Sequence, residues 1–109
     1  GASNTQELFT MDSNTMPNSY KLYPAYPNPF NPETTISYHL PEQSFVDITI
    51  YDILGKKVSK IVNELQSAGH KSIIWNAEDE YGYQVSAGIY IYQVQANDFI
   101  QTKKMILVK

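Results

Sequence analysis

Beyond residue 32 the apolar positions come in short alternating runs separated by turn-forming residues. Ile36, Tyr38 and Leu40 alternate with Ser37 and His39, and Pro41 ends the run. Val46, Ile48 and Ile50 alternate with Asp47, Thr49 and Tyr51. A period of two sends successive side chains to opposite faces, so each run predicts a strand. Asp52-Ile53-Leu54-Gly55-Lys56-Lys57 predicts a turn, with Gly55 at its left-handed position. Val58, Ile61, Val62 and Leu65 fall at helical spacing, yet Val58, Lys60 and Val62 fit a strand equally well. The segment is short and lies between strand signals, which favours strand over helix for residues 57–65. Ser67-Ala68-Gly69 is a turn, His70–Trp75 a strand with Ile73 and Trp75 on one face, and 76–87 a polar loop. Ile89–Ala96 is the most strand-like stretch. Asn97-Asp98 suits a two-residue turn, and Phe99–Val108 returns as a strand. Six or seven short strands with turns between them predict an all-β chain folded as an antiparallel sandwich. No internal repeat is visible.

Two segments depart from this rhythm. Residues 4–22 are polar and without periodicity, which predicts a flexible linker. All six prolines lie between Pro17 and Pro41, four of them in Tyr23-Pro24-Ala25-Tyr26-Pro27-Asn28-Pro29-Phe30-Asn31-Pro32. Proline fixes φ and keeps its predecessor extended, so this segment reads as a stiff, kinked strap over the first sheet. Phe30 and the tyrosines anchor it. Pro24-Ala25-Tyr26-Pro27 also has the spacing of a polyproline ligand. The division is therefore residues 1–21, a tag scar (Gly1-Ala2-Ser3) and flexible linker, followed by a domain over residues 22–109. The expected context is a piece cut from a longer protein, with any leader upstream.

The 109 residues suffice for one domain, and 42% are hydrophobic. Nine Tyr, four Phe and one Trp suit strands that face both core and water. A net charge of −3 argues against a nucleic-acid partner. Without cysteine, packing alone holds the fold. No apolar run approaches the length of a membrane-crossing helix.

Candidate chemistry is sparse. His39 and His70 are 31 positions apart and read as solvent-side strand residues. The motifs of metalloproteases, phosphate loops, nucleophile elbows and dinucleotide sites are absent from the sequence. The expectation is no enzyme, no catalytic residue, no cofactor and no metal. Asn76, Glu78, Asp79 and Glu80 crowd one loop, where oxygen ligands for Ca²⁺ compete with an ordinary solvated turn. Tyr81 and Tyr83 flank Gly82 and offer a sugar-stacking platform, or lean back over the end of the sandwich. Gly88-Ile89-Tyr90 fits a corner in which the phenol returns to nearby backbone.

The last seven residues, Lys103-Lys104-Met105-Ile106-Leu107-Val108-Lys109, are an apolar strand fenced by lysines. Residues 105–108 are apolar on both faces, whereas a sandwich strand needs one. The surplus face would pack on a partner or complete a sheet edge by strand addition, or be covered within the domain by the strap and the opposite sheet. An exposed edge would also permit a weak homodimer, which the lysines discourage.

Four segments, taken together, resemble one family. They are Tyr26–Pro32, Val46–Val58, Ser67–His70 running to Trp75-Asn76, and Ser86–Tyr92 with Lys104–Lys109. Over residues 22–109 the chain resembles the C-terminal sorting domain, type A, of type IX secretion substrates of Bacteroidetes and relatives. The resemblance implies an immunoglobulin-like β-sandwich and a sorting signal for an upstream cargo domain. It further implies periplasmic transit, recognition by an outer-membrane translocon, and cleavage by a cell-surface sortase within residues 4–22. Cargo then ends at the cell surface or outside the cell. The recognition candidates it implies are Gly88, Tyr90, Lys104, Met105, Ile106, Leu107, Val108 and Lys109. The middle segments also resemble the immunoglobulin-like domain of flagellar hook-capping proteins, where the same residues would be scaffold. A carbohydrate-binding accessory module is the other alternative. Family members often carry Asp or Asn then Gly after the Trp; here Asn76-Ala77 follows Trp75.

Overall fold

The computed structural model describes residues 16–109. It contains seven strands: β1 (Lys21–Leu22), β2 (Thr34–Leu40), β3 (Ser44–Asp52), β4 (Lys57–Gln66), β5 (Gly69–Trp75), β6 (Gly88–Ala96) and β7 (Phe99–Leu107). They form two antiparallel sheets, β1-β2-β5 and β4-β3-β6-β7. This is the expected immunoglobulin-like sandwich. Alternation supplies its core: Ile36, Tyr38 and Leu40 from one sheet face Val46, Ile48, Ile50, Tyr92, Val94, Met105 and Leu107 from the other, all at most 2% exposed.

β4 is a strand, and two irregularities explain why its spacing mimics a helix. Its register against β3 shifts between Ile48 and Thr49 and again between Ile50 and Tyr51. Extra residues at Ile61 and Val58 break the alternation. Ser59 and Val62 consequently both point inward although they are three apart.

The β6–β7 hairpin closes through Asn97-Asp98, with Ala96 opposite Phe99 and Asn97 at φ 52°. Tyr90 sends its hydroxyl to the Ser86 carbonyl and packs edge-on against Trp75, ring centroids 5.4 Å apart. The expected tyrosine corner is thus present. Trp75 is buried and its Nε1 donates to the Glu78 carbonyl at 3.0 Å. Ala77 then takes φ 63° with its methyl fully buried. This is the position at which the resemblance expects glycine, the residue that reaches such φ without steric cost.

The strap does more than lie over one sheet. It starts as an edge of the first sheet, with Tyr23 N donating to the Ser37 carbonyl and Tyr26 bridging Thr35. It then crosses to the second sheet, where Phe30 pairs parallel to Leu107. Tyr20, Leu22 and Ala25 also pack into or against the core, and the Tyr20 ring stacks on Phe99. Of the expected cleavage region, residues 4–22, residues 4–15 lie outside the described residues, while Tyr20 to Leu22 belong to the folded domain and not to a flexible linker.

Candidate functional site

Strand parity divides the terminal segment. Met105 and Leu107 point inward and are 0% and 1% exposed. Ile106 and Val108 point outward and remain 37% and 42% exposed, with Lys104 and Lys109 also at the surface. The two apolar faces expected for residues 105–108 therefore have different fates. One is core, and the other is only partly covered by its own domain. Ile106 lies directly opposite Ile89, and Lys104 opposite Ile91. The outward apolar surface thus continues onto β6, where Ile89 and Ile91 are half-buried.

The strap occupies the outer edge of this strand. Phe30 N donates to the Ile106 carbonyl and Val108 N donates to the Phe30 carbonyl, both at 2.9 Å. The Asn28 side chain extends the pairing: its Oδ1 accepts from Ile106 N at 2.9 Å, and its Nδ2 donates to the Lys104 carbonyl at 3.4 Å. Phe30 is buried against Trp75, centroids 5.8 Å apart. Strand addition at residues 106–108 is consequently blocked. What stays open there is the side-chain face, and the free edge begins N-terminal to Lys104. Asn28 is a contributor that the sequence reading missed; the signal was its place between the prolines of the strap.

The eight recognition candidates do come together. Gly88 opens β6 opposite Leu107, and Tyr90 pairs with Met105. They differ in access. Gly88, Lys104, Ile106, Val108 and Lys109 reach the surface, whereas Tyr90, Met105 and Leu107 are buried.

The same end of the sandwich carries two copies of one turn. Asp52-Ile53-Leu54-Gly55-Lys56 and Asp79-Glu80-Tyr81-Gly82-Tyr83 share their hydrogen bonds. In each, the Asp N–H donates to the carbonyl four residues on, and the Gly N–H donates back to the Asp carbonyl. The Asp Oδ1 accepts from the N–H groups two and four residues on, at 2.9–3.0 Å. Gly55 and Gly82 sit at φ 85° and 87°, a region that L side chains avoid. Asp79 is thus a turn staple. Tyr81 and Tyr83 do not lean back over the sandwich; they stand 82% and 72% exposed.

On the outer face of the other sheet, His39 and His70 are directly opposite each other with ring centroids 4.2 Å apart. Tyr23 packs edge-on against His39, and Lys21 lies opposite it on β1. Partial burial, the His70 ring and the Lys21 ammonium push His39 below its ordinary 6.5. A histidine whose pKa is lowered on folding contributes stability that is complete above 6.5 and is lost as pH falls through the lowered value. The denaturation midpoint should therefore fall as pH drops below 6.5, and His39→Gln should flatten part of that slope. Equal slopes in the two proteins, measured by urea titration across that range, would contradict the assignment.

The fold is thus a sandwich whose final strand is strapped at its edge, with one side-chain face in the core and the other at the surface. The model of the secretion system C-terminal sorting domain matches residues 24–109, and the chain belongs to that family. Sorting for export is its function, in the service of a cargo protein, and the destination is the cell surface or the extracellular space. Dimeric latent PorU from Porphyromonas gingivalis superposes with a TM-score of 0.67 at 22% identity, over 87% of this chain and 10% of PorU. PorZ is described as an essential surface component of the type-IX secretion system of the same bacterium. It gives 0.57 at 21% identity, over 81% of this chain and 11% of PorZ. FlgD from P. aeruginosa gives 0.54 at 28% identity, over 68% of this chain and 57% of FlgD. The chain thus spans about a tenth of PorU and PorZ and just over half of FlgD. No curated protein matches it significantly.

Proposed function

We propose that the export route is type IX secretion and that the outer face of the terminal segment is the part the machinery reads. In this account an upstream cargo reaches the periplasm folded, and the outer-membrane translocon engages Lys104, Ile106, Val108 and Lys109 beside Gly88. A cell-surface sortase then cleaves within residues 4–22. Tyr90, Met105 and Leu107 act from beneath by fixing the hairpin that carries the exposed residues. The domain has no catalytic step of its own.

One observation carries this reading. The terminal segment is anchored by its inner side chains and by Asn28 and Phe30, yet it leaves Ile106 and Val108 exposed. A segment serving only as core would gain from covering them. A partner is accordingly expected to read side chains here and not backbone. Any weak homodimer through an edge strand falls instead to the Ile100–Thr102 stretch of β7, which the strap does not cover.

The test is a fusion of residues 1–109 behind a reporter routed to the periplasm of a bacterium with a type IX system. The reporter is expected outside the cell or on its surface, and in the periplasm when the translocon is absent. Equal export in both strains would refute the route.

A further inference from the structure

The sorting role leaves unused a cleft of about 680 Å³ between the twin turns. Asp52, Lys56 and Lys57 line one side; Glu80 and Tyr81 line the other, with Gln84, Ser86 and Tyr90 nearby. We propose that this cleft is a glycan site that takes a neutral pyranose unit stacked on Tyr81.

Three features support that ligand class. First, the backbone that carries the aromatic wall is held in place. Tyr81 sits at the third position of a turn that Asp79 closes with two hydrogen bonds from backbone N–H groups, one of them from Tyr81 itself. These bonds fix the backbone that carries the ring, and the residue is 82% exposed. An amphipathic ring offers a flat apolar face to a ligand, and the axial C–H face of a pyranose is a matching surface.

Second, the polar lining suits hydroxyl groups. Asp52 and Glu80 accept, Lys56 and Lys57 donate, and Gln84 and Ser86 can do both. Vicinal sugar hydroxyls likewise donate and accept at once. The volume falls within the roughly 300–1,000 Å³ of small-ligand clefts.

Third, the charges of the lining nearly cancel, with three carboxylates (Asp52, Asp79, Glu80) against two lysines. Lys57 and Glu80 pair at 3.5 Å, and the remaining Lys56 faces Asp52 and Asp79 in the same lining. The small negative balance disfavours a bare anion relative to a neutral polyhydroxyl ligand. The floor is fixed by Tyr90, 6% exposed and bonded to Ser86.

The experiment titrates the folded chain with cellohexaose, chitohexaose and mannohexaose while amide resonances are followed by NMR. At least one sugar should shift residues 52–57 and 79–86 selectively. Tyr81→Ala should weaken that binding by about tenfold or more, the loss typical of a truncated aromatic anchor. Tyr83→Ala, whose ring lies outside the cleft lining, should leave it nearly unchanged. Failure of all three sugars to bind overturns the proposal, as does binding that survives Tyr81→Ala. Loss of reporter export in Tyr81→Ala without sugar binding by the parent chain would reassign the cleft to protein docking. Because export can proceed normally while the sugars fail to bind, this result stands apart from the sorting test.

Discussion

Phe30→Ala is expected to cost about 3–5 kcal/mol, the range for removing a fully buried aromatic from a core. Phe30 is 1% exposed, although it lies in a strap without regular secondary structure on either side. Its ring packs on Trp75 and its backbone makes two hydrogen bonds to the end of β7. At about 4–8 °C per kcal/mol for a domain of this size, the melting temperature should drop by roughly 12 °C or more. The loss should not be uniform. Ile106 and Val108 donate their amides to Asn28 and Phe30, so their hydrogen exchange should accelerate more than that of β6. Asn28→Ala removes two hydrogen bonds without opening a cavity and should cost only about 1–2 kcal/mol. Persistent protection at Ile106 and Val108 in Phe30→Ala would show that something other than the strap holds the terminal segment.

Much of the fold could be read from the chain because its physics is local. Period-two runs marked β2 and β3, strand-favouring composition marked β6, and Asn97-Asp98 marked the hairpin that returns as β7. The tyrosine corner was legible for the same reason, since Tyr90 reaches backbone only four residues away. β4 was ambiguous because bulges at Ile61 and Val58 reset its inward phase, which period counting cannot anticipate. Cover of the terminal segment by the strap was one of the alternatives the chain left open, and its edge pairing could not be read for a different reason. It rests on a single bridge between Phe30 and Leu107 and on one Asn side chain, and no periodicity encodes such contacts across the chain. At the candidate site, the apolar run 105–108 was evident, but its division into core and surface needed the sandwich to say which side was inside. The twin turns had a sequence signal, Asp and then Gly three positions on, each time with a large exposed residue just before the glycine.

Ile106→Asp with Val108→Asp is expected to reduce export of the fused reporter at least about tenfold, the scale on which a central interface contact is lost. Both side chains point away from the core and neither contributes to the inward layer formed by Met105 and Leu107. The substitutions keep the backbone amides that bond to Asn28 and Phe30, so the strap should stay in place. Deleting residues 105–109 is a poorer test, because it removes Met105 and Leu107 from the core and would halt export by unfolding the domain. The decisive measurement is the fraction of reporter at the surface or in the medium for the double variant, with its melting temperature measured alongside. A folded variant whose cargo stays in the periplasm is the predicted result; a folded variant exported as well as the unaltered chain would contradict the claim that this outer face is what the machinery reads.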